Sequence, residues 1–172
     1  MPEPTHFERL GISRRFSLDV AALDRNYLDY SRRVHPDRAG DSAESLDASA
    51  ALNEAYSVLR DPFRRADYLI ALGGGPSAAD LRQATPAFLE EMLELRAEVE
   101  MAKADAAARA ELEHSLLARR VALVGEAGRH LDRYDELQTD DARRRELMTQ
   151  ARQALNACKY VQGLLRELQH DD

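Results

Sequence analysis

Proline stops halfway along this 172-residue chain: all six lie at or before Pro86, and none follows through Asp172. Proline removes a backbone donor and breaks helices, so its absence from a whole half permits long uninterrupted helix. Ala, Leu, Arg and Glu dominate and β-branched residues are scarce, which favours helix over strand. Aromatic residues run the other way. Seven of the ten, Phe7, Phe16, Tyr27, Tyr30, Tyr56, Phe63 and Tyr68, fall in the first 68 positions. We therefore expect an all-α protein made of two unlike parts.

Charge and hydropathy exclude several roles. With 24 Lys and Arg against 31 Asp and Glu, the net charge is −7. A nucleic-acid binder usually carries a basic excess to neutralise phosphates, so no nucleic-acid partner is expected. No run approaches the roughly 18 apolar residues of a membrane span, and the opening MPEPTHFERLGI lacks the layout of a secretory signal. The lone Cys158 gives neither an internal disulfide nor a paired-cysteine metal site. These features point to a soluble, cytoplasmic protein.

Local signals divide the first part into helices. A short apolar piece, Phe7 and Leu10, is closed by Gly11. Ser17 reads as an N-cap, with a helix running through Leu23, Tyr27, Tyr30 and Val34, which share one face. Pro36 ends it, because the residue before a proline avoids helical geometry. A polar loop, DRAGDSAE, follows, with Asp41 and Glu44 at capping-box spacing. The next helix carries Ala48, Leu52, Ala55, Tyr56 and Leu59 on one stripe, with Leu46 off it. Asp61-Pro62 is a cap and first-position pair that opens a helix to about Leu72. Gly73-Gly74-Gly75-Pro76-Ser77 then breaks the chain and marks a domain boundary. Beyond Thr85-Pro86, three helical stretches at about 86–102, 105–135 and 140–169 have short connections and should lie antiparallel.

His35-Pro36-Asp37 follows the first long helix directly. It reads as a rigid exposed turn offering a switchable donor and an acceptor. Arg32, Arg33 and Arg38 flank it, and cations are favourable at a helix C-terminus. A catalytic role for His35 and Asp37 is the rival reading, but no Ser or Cys nucleophile or ligand cluster accompanies them. A short carboxylate on a rigid turn can instead form a charge-assisted bond to a partner arginine.

YSRRVHPDR followed by ALNEAYSVLRDPFRRADYL resembles a J-domain, the module that activates DnaK-type ATPase chaperones. The resemblance implies that His35, Pro36 and Asp37, with Arg32, Arg33 and Arg38, dock on the chaperone and stimulate ATP hydrolysis. Asp24 and Asp29 sit among the cations of the helix before the turn.

In the second part, TPAFLEEMLELRAEVE places Phe88, Met92, Leu95 and Val99 on one core stripe at ~100° per residue. Leu89 and Leu93 fall outside it. Two readings stand: they pack against another helix, or they form an apolar partner-binding patch edged by charge. On the last helix, Met148, Ala151, Leu155, Cys158, Val161, Leu165 and Leu168 share a broad face. Tyr160 and Leu164 point away from it, Tyr160 being either a surface residue or a partner anchor.

Over nearly its whole length the chain resembles the HscB family, J-type co-chaperones of bacterial iron–sulfur cluster assembly. LRDPFRRADYLIALGG and the later AFLEEMLELR carry this likeness. It implies a J-domain at 1–74 (a helical hairpin with an HPD loop), a linker at 75–83 and a three-helix bundle at 84–172. It also implies an IscU-type scaffold partner bound through Leu89, Leu93, Glu94, Arg96 and Tyr160, delivered to a DnaK- or HscA-type ATPase. A J-protein serving a different client is the alternative. No catalytic residue, metal or cofactor is expected of the chain itself. Cys158 reads as a small buried hydrophobe. His6, His114, His130 and His170 read as surface residues, and runs such as DARRRELMTQAR as solvated helix faces.

Overall fold

The computed structural model of this protein describes residues 3–34, 43–81, 86–137 and 139–169. All regular structure among them is helical: α1 (His6–Arg9), α2 (Val20–Val34), α3 (Ala43–Arg60), α4 (Pro62–Leu72), α5 (Pro86–Ala102), α6 (Ala106–Glu136) and α7 (Asp141–Gln169). The chain forms two compact units, Met1–Leu69 and Ile70–Asp172.

The first unit packs α3 against α1 and α2. A Thr5–Glu8 capping box starts α1, and the two hydrogen bonds from Thr5 hold the Glu8 carboxyl below its ordinary pKa. Gly11 follows α1 at φ +61°, the left-handed conformation that lets the chain turn away after a helix. Phe7, Leu10, Leu23, Leu52, Ala55 and Leu59 are buried at the centre. His6 is not a plain surface residue. Its ring stacks on Tyr68 at 4.3 Å, its backbone N–H donates to the Tyr68 hydroxyl, and partial burial pushes its pKa below the ordinary value.

Helix ends follow the caps. Asp61 Oδ1 accepts from the Arg64 N–H at 2.8 Å, as its place before Pro62 predicts. At α2 the cap is Asp19, whose Oδ1 accepts from the Ala22 N–H at 3.1 Å. The helix therefore begins at Val20, later than capping by Ser17 would place it. Asp19 satisfies the third-position donor of the observed helix directly. The proposed caps at Asp41 and Thr85 lie outside the described residues.

In the second unit α6 and α7 form a long pair, and α5 packs on both. Asp105 caps α6 through the Ala107 N–H at 2.8 Å. Val99, Ala102, Leu116, Val161, Leu164, Leu165 and Leu168 form one cluster at one end of the bundle. Leu164 is buried rather than outward-facing, because α7 faces two neighbours and so buries a wider arc than one stripe. Arg152 is also buried: its Nε donates to the Pro76 carbonyl at 2.9 Å. Asn156 likewise donates to the Leu81 carbonyl at 3.0 Å, so the segment before α5 is held on α7. Gly75 makes that approach possible, since a Cβ there would sit 2.8 Å from Ile70 Cγ2.

Candidate partner-binding sites

In the first unit the chain requires α2 and α3 to keep a fixed rotation about each other. Tyr27 stacks on Tyr56 at 4.0 Å, and each hydroxyl reaches the other helix: Tyr27 Oη donates to Asn53 Oδ1 at 2.9 Å, and Tyr56 Oη to Asp24 Oδ1 at 3.0 Å. Asp24 also pairs with Arg60 at 3.2 Å. Thus one carboxylate that interrupts the cationic face of α2 is engaged within the fold. The other, Asp29, lies 3.4 Å from Arg32 one turn on.

Arg32 and Arg33 stand exposed in the last turn of α2, where the helix dipole favours positive charge. Arg33 lies over the Tyr30 ring, 5.4 Å from its centroid. Exposed Leu28 adds an apolar spot to the same helix. His35, Pro36, Asp37 and Arg38 lie outside the described residues.

In the second unit α5 faces outward with Leu89 and Leu93, which are 52% and 68% exposed. Neither is packed away under another helix. Glu94 and Arg96 are also exposed, and Arg96 pairs with Glu167 of α7 at 3.6 Å. Tyr160 is half-buried. It rests on the Val99–Leu168 cluster and meets Phe88 edge-on, with ring centroids 6.1 Å apart. The first turn of α5 therefore lies beside Tyr160, while Leu89 and Leu93 are successive turns of one helix face. Sequence reasoning missed the Arg96–Glu167 and Arg119–Glu91 ties that fix α5 to its neighbours. Only the charge identities hint at them, because the partners are far apart in sequence.

Among the described residues no cluster of three His, Cys, Asp or Glu side chains could hold a metal, and no helix is long and apolar enough to cross a membrane. What the two units offer is surface. A small helical unit presents cations at the end of one helix, and a helix bundle presents an apolar pair edged by charge.

Residues 5–68 match the DnaJ domain, so the first unit is that of a J-domain protein. Residues 84–169, half of the chain, match the HSCB C-terminal oligomerisation domain. The chain belongs to the HscB family of J-domain co-chaperones. It is similar to the co-chaperone protein HscB homologs of Paraburkholderia phymatum and Burkholderia multivorans, at 41% identity over 106 residues in each case. Each match covers 58% of this chain and 61% of the relative, so the chain spans about three-fifths of the length of these curated relatives. Among solved structures, the chaperone HscB from Vibrio cholerae superposes with a TM-score of 0.71 at 28% identity, covering 96% of both chains. The human co-chaperone protein HscB gives 0.78 over 98% of this chain and 82% of its own, and at 24% identity it shows the shared fold.

Proposed function

We propose that this chain is a cytoplasmic co-chaperone that binds an IscU-type iron–sulfur scaffold, delivers it to a DnaK- or HscA-type ATPase chaperone and stimulates that ATPase. The observation that carries the reading is the pairing, in one chain, of a DnaJ domain with an HSCB C-terminal domain. In domain terms the proposal is a J-domain at 1–74, a linker at 75–83 and a scaffold-binding bundle at 84–172. His35, Pro36 and Asp37 engage the ATPase, supported by Arg32, Arg33 and Arg38. Leu89, Leu93, Glu94, Arg96 and Tyr160 engage the scaffold. Tethering supplies the mechanism, because a client held by one domain is concentrated at the chaperone held by the other. The bond-breaking step belongs to the ATPase, and no residue of this chain enters it.

Single-turnover ATP hydrolysis by the chaperone, with and without scaffold, tests this directly. His35→Gln should abolish stimulation while scaffold binding by calorimetry stays unchanged. Leu89→Ala with Leu93→Ala should weaken scaffold binding by about 2 kcal/mol or more, as truncated hot spots do, and spare stimulation in the absence of scaffold. Binding of unfolded peptides to the Leu89 surface, with no binding of the folded scaffold, would replace this client with another.

A further inference from the structure

The long α6–α7 pair has two sides, and α5 covers one of them. Arg119 of α6 meets Glu91 of α5, while Tyr160 and Glu167 of α7 meet Phe88 and Arg96. Leu117, Gln162 and Gln169 each stand two positions from one of these residues, a step of about 200° round a helix. They therefore lie on the opposite side, where they line an open groove of about 460 Å³ with Arg120, Leu165 and Arg166. Leu165 is buried at its floor, and Leu117 and Val121, one turn apart on α6, are 40% and 68% exposed. Gly125 continues that row by a further turn. A Cβ there would meet nothing closer than Arg129 Nη1 at 3.7 Å, so the fold itself does not require glycine. Glycine weakens a helix interior relative to alanine, and what it offers is room for another backbone. Arg120, Arg129 and Arg166 are exposed along this side, and none has a carboxylate partner among the described residues. Glu113, beside Gln169, accepts from that side chain at 2.6 Å and is engaged within the fold.

We propose that this groove docks an acidic amphipathic helix of a partner protein. The apolar face of that helix covers Leu117, Val121 and Leu165, and its backbone comes close at Gly125. Its Asp or Glu side chains pair with Arg120, Arg129 and Arg166. The groove lies away from the outward face of α5, and its occupant does not depend on the scaffold reading. Charge complementarity selects this occupant. An apolar segment without acids would strip water from three cations and leave them unpaired, and a basic segment would be repelled. A groove between two helices suits a third helix better than a flat lipid surface. The net charge of −7 opposes both an anionic membrane and a second copy of this chain. From Leu117 to Gly125 the row runs about 12 Å, a little over two helical turns, which sets the length of the contact.

Fluorescence anisotropy of the full chain with a labelled synthetic helix tests this. The probe is a peptide of about 16 residues with leucines at i, i+4 and i+7 and glutamates beside them; its twin carries lysine for every glutamate. At about 0.05 M salt the acidic peptide should bind in the micromolar range, and the lysine twin at least about tenfold more weakly. Arg120→Gln with Arg166→Gln should weaken the acidic peptide about tenfold at that salt and little at about 0.5 M, where exposed charge pairs are screened. Gly125→Leu should weaken it about fivefold at both salts, by filling the space the occupant's backbone needs. Leu89→Ala with Leu93→Ala should change nothing, and circular dichroism checks that every variant keeps its helices. Failure of the acidic peptide to bind, equal binding of the lysine twin, or loss of binding in the Leu89 and Leu93 variant overturns the proposal. So does co-sedimentation with vesicles of phosphatidylcholine and phosphatidylglycerol that the arginine variant removes, which would make a lipid surface the occupant. Self-association in sedimentation velocity that Gly125→Leu removes would make it a second copy, and overturns the proposal equally.

Discussion

In Met1–Leu69 a stacked tyrosine pair and its hydroxyls join two helices beside a small apolar core; in Ile70–Asp172 the helices meet mainly through aliphatic side chains along two helices of 31 and 29 residues. The difference follows from length. Helices α2 and α3 have 15 and 18 residues, and α1 has only four, so little seam is available for burial. Tyr27 and Tyr56 compensate, since a ring buries a large area and its hydroxyl adds a directional bond. Those bonds to Asn53 and Asp24 fix how α2 and α3 are rotated, which aliphatic contact alone does weakly. The long α6–α7 pair relies on area, where each buried side chain adds roughly 1.5–3 kcal/mol relative to exposure. A unit whose helix rotation is fixed by directional bonds keeps a helix end and its cations in place. A unit held by area keeps a long helix face straight.

The comparison can be broken by substitution. Leu155→Ala, at a fully buried position of α7, should destabilise the second unit by about 2–5 kcal/mol, the usual range for a core cavity. Urea unfolding followed by circular dichroism reads this. Arg152→Met leaves the Pro76 carbonyl without its donor and should cost about 1–3 kcal/mol. Its sharper readout is faster proteolysis between Gly73 and Leu81, with the rest of α7 still protected. Tyr56→Phe keeps the stack on Tyr27 but loses the bond to Asp24, an effect of about 1 kcal/mol confined to the first unit. A fall as large as that of Leu155→Ala would mean that direction, not burial, carries the first unit.

The smallest effect is a pH dependence. Burial lowers the pKa of His6 in the folded chain, so the unfolded chain binds this proton first. The stability held with His6 neutral is complete above the ordinary value of 6.5 and is lost as pH falls through the lower folded value. Unfolding of the first unit should thus grow easier on acidification from about pH 7 to 5, and His6→Phe should flatten that slope.

Element positions were legible because punctuation residues mark them. Asp61-Pro62 and Pro86 set helix starts at the residues observed, and Gly73-Gly74-Gly75-Pro76 ends α4 after Leu72. The core stripe of α7 was legible too, as Met148, Ala151, Leu155, Cys158, Val161, Leu165 and Leu168 are all buried. Periodicity assumes one partner per helix, however, and α7 has two, so Leu164 was misread. Arg152 was misread for a related reason: its partner is a carbonyl 76 residues away, which no local charge pattern encodes. At the α5 surface, the angle of Leu89 and Leu93 to the Phe88–Val99 stripe puts them off the core face but leaves open packing under another helix, and the structure decides for exposure. The neighbouring ion pairs were not legible, because which helix stands beside α5 is a property of the assembled bundle.

The chain's one thiol has a practical consequence. Cys158 is fully buried in α7, with Sγ 3.9 Å from the Arg120 carbonyl of α6. A thiol reagent in solution can reach it only when these helices part. Its alkylation rate is thus a built-in clock for opening of the α6–α7 pair, requiring no engineered label. Bound partner that clamps the bundle would slow the clock, and a partner that pries the helices apart would speed it.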